Sequence, residues 1–443
     1  MPKTYDILII GAGILGLSCA YHLKANNRDK EILVVDRLAD VAQGNTARSA
    51  AAFRNMFTSP DNLTLADTSI NFYLDTQRSG FDLGIKKIGY LWIMSERQLA
   101  SNERHVKEME EKGIDLKKYD RGDLEHLIPS LKTQFEATDE DSQIMGLEKV
   151  SGGILGTKCG ILDPAKLARF YADGFVRMGG KIALGTNVKK LILEPEKPLG
   201  IDGEPFVWQD SRIAGVELEG ANMSGEVRAE TTVIASGVWN NELLEPIGID
   251  GHVKGKKRQM FTIPAEKDPQ LRDLLHNGNF NDEGVLPFVI LPKSACFIKP
   301  MASEGKFWVA ADDDLNREYI DLPDADLQNY KAEPRYYEDN VYRILKAYLP
   351  AFESYSKPSE MWTGLYSYNT LDSIPFVFFE SGMIVAGGGS GSGIMKGDAM
   401  GRLVDAAFRS GEDGEATLYG GVNYPLRKIG FKSRQVEREE WVL

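Results

Sequence analysis

The chain has 443 residues, 42% of them hydrophobic, which is enough for large apolar cores and suggests two or three domains. Its 52 Lys and Arg are outnumbered by 65 Asp and Glu, and a formal net charge of −13 argues against a nucleic-acid-binding protein, which needs a basic face to displace counterions. No run of about 20 apolar residues occurs, so no membrane span is expected. The cysteines Cys19, Cys159 and Cys296 match no zinc or redox spacing, and a reduced, cytoplasmic setting is the expectation. The first residues run straight into an apolar segment, so no signal peptide is expected.

Residues 5–10 form a short apolar run ending at Gly11 and predict a fully buried parallel strand. Residues 14–25 carry Ile14, Leu15, Leu17, Cys19, Ala20 and Leu23 at helical spacing, and Asn26-Asn27 ends that helix. Residues 31–36 are the next buried strand, completing a βαβ unit. A charged helix is predicted over 97–128 with Pro129 as its stop, and another over 165–178, closed by Gly179-Gly180. Strand-like runs fill 181–235, with a Gly-, Pro- and Asp-rich surface hairpin between 198 and 211. Residues 232–236 are a second buried strand, ending at Gly237. The pattern from 254 to 310 is again strand-like. Residues 383–386 are a third buried strand, meeting five glycines between 387 and 393 and then a helix to about Phe408. The polar stretch after Gly411 reads as a solvated C-terminal tail.

Buried strands of one kind thus recur at the start, middle and end. The predicted fold is α/β: a Rossmann-type nucleotide-binding domain built from the discontinuous segments 1–84, 150–245 and 358–415. An α+β substrate domain on a mixed or antiparallel sheet, residues 85–149 and 246–357, is inserted into it, and 416–443 form the tail.

Gly11-Ala12-Gly13-Ile14-Leu15-Gly16 is a G-x-G-x-x-G motif that follows a buried strand and opens a helix, with Asp36 twenty residues after Gly16 at the end of the next strand. Gly11 makes the tight turn, Gly13 lets a pyrophosphate reach the backbone, and Gly16 lets the helix pack on the sheet. The helix N-terminus offers unpaired N–H groups to phosphate. Asp36 accepts hydrogen bonds from a ribose diol and repels a 2′-phosphate. The late glycine turn aims a second helix N-terminus at the ligand. That suits FAD, because reduced flavin carries negative charge that a helix N-terminus stabilises by roughly 0.3–2 kcal/mol. No second G-x-G-x-x-G occurs, which argues against a separate nicotinamide domain.

At these residues the chain resembles the D-amino-acid oxidase superfamily, in its glycine oxidase, sarcosine oxidase and dimethylglycine dehydrogenase branch. The resemblance covers most of the chain. It rests on Gly11 to Asp36, Gly44-Asn45-Thr46-Ala47-Arg48-Ser49-Ala50-Ala51, Gly89-Tyr90-Leu91, Gly160 to Pro164 and Ile234 to Trp239. It continues through Trp362-Thr363-Gly364-Leu365-Tyr366, Asp372-Ser373-Ile374-Pro375 and Gly388 to Arg402. It implies FAD and hydride transfer from a C–H beside nitrogen to flavin N5. It also implies cofactor contacts from Ile14, Leu15, Arg37, Thr46, Arg48, Ser49, Ala50, Val188, Ala235, Ser236, Gly237, Trp239, Gly364, Gly389, Gly391, Ser392, Gly393, Ile394, Met395 and Lys396. Relatives attach flavin through a histidine or a cysteine where this chain has Arg48 and Gly364, so the expectation is non-covalent FAD. Ser392 stands where many relatives have histidine.

For the chemistry, the resemblance puts Arg54 at the carboxylate-binding arginine of sarcosine oxidases and Lys396 near a lysine close to the flavin. A guanidinium fork suits a carboxylate. Tyr366, with Tyr90 and Tyr368, is a candidate pocket wall. Positioning supplies much of the acceleration in flavin amine oxidation, so no catalytic triad is required. The five histidines (His22, His105, His126, His252 and His276) fit no catalytic motif, and no metal is expected. The leading reading is an oxidase or dehydrogenase of a small amine or amino acid. The alternatives are an FAD-dependent 2-hydroxyacid dehydrogenase and a non-catalytic flavoprotein, an assembly factor or a subunit of an electron-transfer complex. An electron-acceptor protein or a second copy of the chain remain open as partners.

Overall fold

The computed structural model describes residues 2–136, 139–312, 319–320, 323, 326, 329–436 and 438–441. The apolar runs become strands of one eight-stranded sheet. Its main path is Phe376–Glu380, Met383–Gly387, Gly225–Ile234, Lys3–Ile10, Ile32–Val35 and Lys181–Ala183. Lys3–Ile10 pairs in parallel with Gly225–Ile234 and with Ile32–Val35, and Gly225–Ile234 pairs in parallel with Met383–Gly387. The antiparallel strands Thr186–Pro195 and Ser211–Gly220 branch from this sheet. Helices Ile14–Asn26, Pro60–Arg78, Pro164–Arg177 and Gly397–Ser410 contribute buried side chains to the core on one face of the central strands. Because both faces are covered, those strands read as unbroken apolar runs.

Register then positions the site. Ile10 pairs with Val35 and with Ile234, and Ile234 pairs with Val385. The residues that follow (Gly11, Asp36, Ala235 and the 387–393 turn) therefore emerge side by side at the carboxyl ends, where open α/β sheets bind ligands.

A second eight-stranded sheet is ordered Glu360–Tyr368, Lys254–Pro264, Lys306–Ala310, Phe297–Met301, Phe288–Ile290, Tyr90–Met94, Gly152–Gly156, Leu116–Asp120. It is antiparallel except where Phe288–Ile290 runs parallel to Tyr90–Met94. A mixed second sheet was expected, but two of its strands differ from the expected boundaries. Gly152–Gly156 and Glu360–Tyr368 fall in segments assigned to the nucleotide unit, yet both pair here. The first is glycine-rich because its neighbour is close: a Cβ on Gly152 would lie 2.6 Å from the carbonyl oxygen of Tyr119.

Two local expectations are corrected. The charged helix over 97–128 is two helices, Glu96–Glu111 and Arg121–Leu127, separated by the edge strand Leu116–Asp120. Gly113 turns the chain at φ +79°, and Ser95 and Asp120 cap the two helices separately. The stretch after Gly411 is not a solvated tail. Glu415–Leu418 and Val422–Pro425 form a hairpin that buries Ala416, Leu418 and Tyr424 against the first core, and Arg434 and Trp441 are buried farther on. Among the described residues no helix is long and apolar enough to cross a membrane.

Candidate active site

A cavity of about 470 Å³ lies outside the aligned strand ends and reaches the second sheet. At one end it is lined by Gly11, Gly13, Ile14, Leu15, Asp36, Arg37, Val188, Ala235, Ser236, Gly237 and Trp239. The Asp36 carboxylate accepts from the backbone N–H of Ala12 at 2.7 Å and of Leu38 at 2.8 Å, which fixes it at the lip of the turn. Thr46 Oγ1 accepts from the N–H of Ile14, one of the amides a helix start leaves unpaired. The Arg37 guanidinium lies 4.6 Å from the Trp239 ring centroid. Gly16 does not line the cavity; its role is packing, because a Cβ there would come within 1.9 Å of the Gly11 carbonyl oxygen.

The 387–393 turn forms the facing wall, with Gly389, Gly391, Ser392, Gly393, Ile394 and Met395 all lining the cavity. Gly391 has φ +82°, and a Cβ there would strike the Tyr366 ring at 2.7 Å, so both curvature and packing call for glycine. A 3₁₀ turn, Ile394–Lys396, intervenes before the α-helix begins at Gly397, later than the helix start expected near Gly393. The 44–50 turn closes the middle, with Thr46, Arg48, Ser49 and Ala50 in the lining. It is strapped to Glu360–Tyr368: Arg48 Nη1 donates to the Thr363 carbonyl, Trp362 Nε1 donates to the Arg48 carbonyl, and Leu365 N donates to Asn45 Oδ1. Arg48 and Gly364 consequently face each other, and a Cβ on Gly364 would lie 3.3 Å from the Arg48 Cβ.

The far end is more apolar. Tyr90, Met260, Phe288, Phe297, Trp362 and Tyr366 line it with Arg54, Asn62 and Glu439, and Tyr368 and Arg258 lie beside Tyr366. Arg258 is paired with Asp312 at 2.7 Å. Of the candidates for chemistry, Arg54 and Tyr366 reach the cavity, and Lys396 does not line it. The Lys396 ammonium is fully buried one layer back, donating to Asn62 Oδ1 and Ser392 Oγ, which do line it. Arg54 donates to the carbonyls of Met56 and Trp441 and stacks 4.3 Å from the Phe57 ring. None of the five histidines lines the cavity, and among the described residues no His, Cys, Asp and Glu cluster could hold a metal ion.

Burial shapes the charges. Desolvation lowers the Arg54 pKa, opposed by Tyr90 and Glu439, and a guanidinium keeps its charge regardless. Desolvation also pushes Lys396 down to about 7, countered by Glu439. Burial raises Tyr366, and raises Tyr368 to about 12, so both phenols are neutral donors near neutrality.

A further buried lysine escaped the sequence reading. Lys299 donates to the carbonyl of Ala50 on the cavity wall and lies 4.3 Å from the Trp308 ring. The signal was a lone cation in an apolar strand, on the same face as Phe297 by the two-residue period. Desolvation lowers its pKa from 10.5 to about 7. Between those two values the unfolded chain holds a proton that the folded chain does not, so stability rises with pH across that window and the contribution is lowest below pH 7. Flavin-free protein is expected to gain thermal stability from pH 7 to 9, and Lys299→Met to gain measurably less. Equal slopes in the two melting-temperature profiles would refute this reading.

The lining suits an extended dinucleotide. Glycines at 11, 13, 237, 364, 389, 391 and 393 leave backbone bare along both walls, and a carboxylate and the N-terminus of helix Ile14–Asn26 sit at the nucleotide end. Comparison with known proteins agrees. The chain is 24% identical to FAD-dependent oxidoreductase domain-containing protein 1 of Xenopus laevis, over 92% of this chain and 81% of that protein. It is 25% identical to glycine oxidase of Bacillus licheniformis, over 62% and 66%. The fold matches the crystal structure of L-proline dehydrogenase from P. horikoshii with a TM-score of 0.71 and 20% identity, covering 93% of this chain and 95% of that one. The family described as FAD dependent oxidoreductase matches residues 6–407. The chain belongs to this family, DAO, and is an FAD-dependent oxidoreductase.

Proposed function

We propose that this enzyme oxidises the C–N bond of a small amine or amino acid, with FAD held non-covalently by the Gly11–Asp36, 44–50 and 387–395 segments. The observation that carries the reading is Arg54: a buried guanidinium on the wall of a largely aromatic cavity end, beside the 44–50 and 387–395 turns. Such a group is suited to a substrate carboxylate, and the glycine oxidase relative acts on an amino acid by name. FAD, when bound, supplies the two-electron acceptor. The chain's own contribution is positioning: Arg54 orients the carboxylate, while Tyr366, Tyr90 and Phe288 shape the pocket and exclude water. Non-covalent binding is supported by Arg48 and Gly364 at the two attachment positions and by a lining without histidine or cysteine. Flavin released into the supernatant on acid precipitation is the expected result.

The test is anaerobic visible absorption of the holoprotein, before and after adding sarcosine, glycine, proline and other small amines. Bleaching by one of them supports the reading; a flavin that none bleaches favours the hydroxyacid or partner-dependent alternatives. With a reactive substrate in hand, Arg54→Ala is expected to lose about 1.5–3 kcal/mol of a charged hydrogen bond. That is roughly 10- to 150-fold in kcat/KM at unchanged flavin content. Unchanged kinetics would remove Arg54 from the substrate site.

A further inference from the structure

The 438–441 segment reaches the cavity through one residue. Glu439 lines it, and its carboxylate is held by five donors: the N–H of Thr58 at 2.8 Å, the Thr58 hydroxyl at 2.7 Å, the N–H of Ser59 at 3.1 Å, Asn62 Nδ2 at 3.2 Å and the N–H of Trp441 at 3.0 Å. Four of these come from the N-terminal end of helix Pro60–Arg78, where an anion is favoured. Seated this way, the segment buries Trp441 to 2% exposure against Trp92, at 5.1 Å between rings, and brings the Trp441 carbonyl to 2.9 Å from Arg54 Nη2. The Arg54 guanidinium is thus steered by a backbone carbonyl and faced by one fixed carboxylate across the same cavity end.

We infer that Glu439 is a specificity-determining and positioning residue of the substrate site: it holds the Trp441 carbonyl on Arg54, and its charge admits a ligand with one carboxylate while rejecting a second. This rests on the amino-acid reading above. A first carboxylate finds the Arg54 fork. A second, in a water-poor cavity, meets Glu439, and like charges in such surroundings repel strongly. Neither nearby cation offers that second carboxylate a direct partner, since Arg258 is paired with Asp312 and Lys396, which interacts with Glu439 through Asn62, lies behind the cavity wall. The substrate class is therefore a monocarboxylic amino acid without an acidic side chain.

The holoprotein can be titrated with acetate and with malonate, following the perturbation of flavin absorption. Wild type is expected to bind acetate more tightly by at least about tenfold, and Glu439→Gln to shrink that preference by about tenfold with flavin content unchanged. Trypsin cleavage after the exposed Arg438, divided by the rate for the same bond in a free peptide carrying the same residue at 439, is expected to be at least about tenfold faster in Glu439→Gln, because the segment is less firmly seated. An unchanged acetate-to-malonate ratio overturns the selectivity, and an unchanged relative cleavage rate overturns the positioning. If neither anion perturbs the flavin of either protein, the carboxylate reading of Arg54 falls, and the selectivity falls with it; the cleavage rates still decide the seating.

Discussion

Gly16→Val is expected to yield protein without bound FAD. A Cβ at this position would sit 1.9 Å from the carbonyl oxygen of Gly11 and 2.9 Å from its carbon, and neither atom belongs to a side chain that can turn away. Gly11 is itself held, with its N–H on the Val35 carbonyl at 2.9 Å and its own Cβ position blocked 2.6 Å from the Ala235 carbonyl oxygen. Relief must therefore come from lifting helix Ile14–Asn26 off the sheet or from breaking the turn. Ordinary overpacking costs about 1–3 kcal/mol, and a backbone-on-backbone clash falls at or above the top of that range. Either movement takes the helix N-terminus and the Ala12 N–H bond to Asp36 out of place, so affinity is expected to fall by at least about 100-fold. Gly13→Ala separates packing from binding. A Cβ there meets only Thr46 Oγ1, at 3.3 Å, so the fold is expected to stand while flavin content drops. The ratio of flavin to protein absorbance, with FAD titration of the stripped protein, checks both. A Gly13→Ala protein carrying full flavin would remove the 11–16 turn from the cofactor site.

The parts of the molecule that were legible in the sequence are those where backbone geometry dictates residue type. Gly11, Gly13 and Gly16 at the end of an apolar run, with Asp36 at the next strand end, admit few other folds, and the 387–393 glycines belong to the same logic. Val188, Trp239 and the 44–50 turn were reached through family resemblance, and they line the cavity. The position of Lys396 was not legible, because one residue of 3₁₀ or α geometry decides whether a side chain points into a cavity or behind it. Strand Gly152–Gly156 was placed by its neighbours in sequence, whereas its partners Tyr90–Met94 and Leu116–Asp120 lie far along the chain. Glu439 carried no signal at all. It stands in the charged run Arg438-Glu439-Glu440, which reads as solvated until the helix N-terminus that receives it is known.

That same tail contains the ion pair whose loss should be felt most. The Arg434 and Asp372 side chains are 2% and 0% exposed, with Nε on Oδ2 at 2.6 Å and Nη2 on Oδ1 at 2.8 Å. Arg434 also donates to the carbonyls of Ile374, Pro375 and Ile429, so one guanidinium ties the 429–434 turn to the loop before strand Phe376–Glu380. Asp372 holds the other side of that loop, accepting from Asn369 Nδ2 and the N–H of Ile374. Arg434→Met leaves a buried carboxylate without its counter-charge and the Pro375 carbonyl without a donor, while the Ile374 and Ile429 carbonyls keep Asn369 Nδ2 and the Val377 N–H, and it is expected to cost about 3–5 kcal/mol. Exposed pairs such as Lys166 with Asp82 set the scale by contrast: their side chains are 45% and 71% exposed, and Lys166→Met is expected to change stability by less than about 1 kcal/mol. Urea unfolding of the two variants distinguishes the cases. Arg434→Met combined with Asp372→Asn should recover part of the loss, because removing the stranded charge removes the larger share of the penalty. A single variant as stable as wild type would mean that the 429–441 segment is not anchored through Arg434. The anchor also bears on chemistry: Ser373 in the tied loop lines the cavity, and the chain beyond Arg434 leads to Glu439. Arg434→Met is therefore expected to accelerate trypsin cleavage after Arg438 as well as to lower stability, whereas Lys166→Met should do neither.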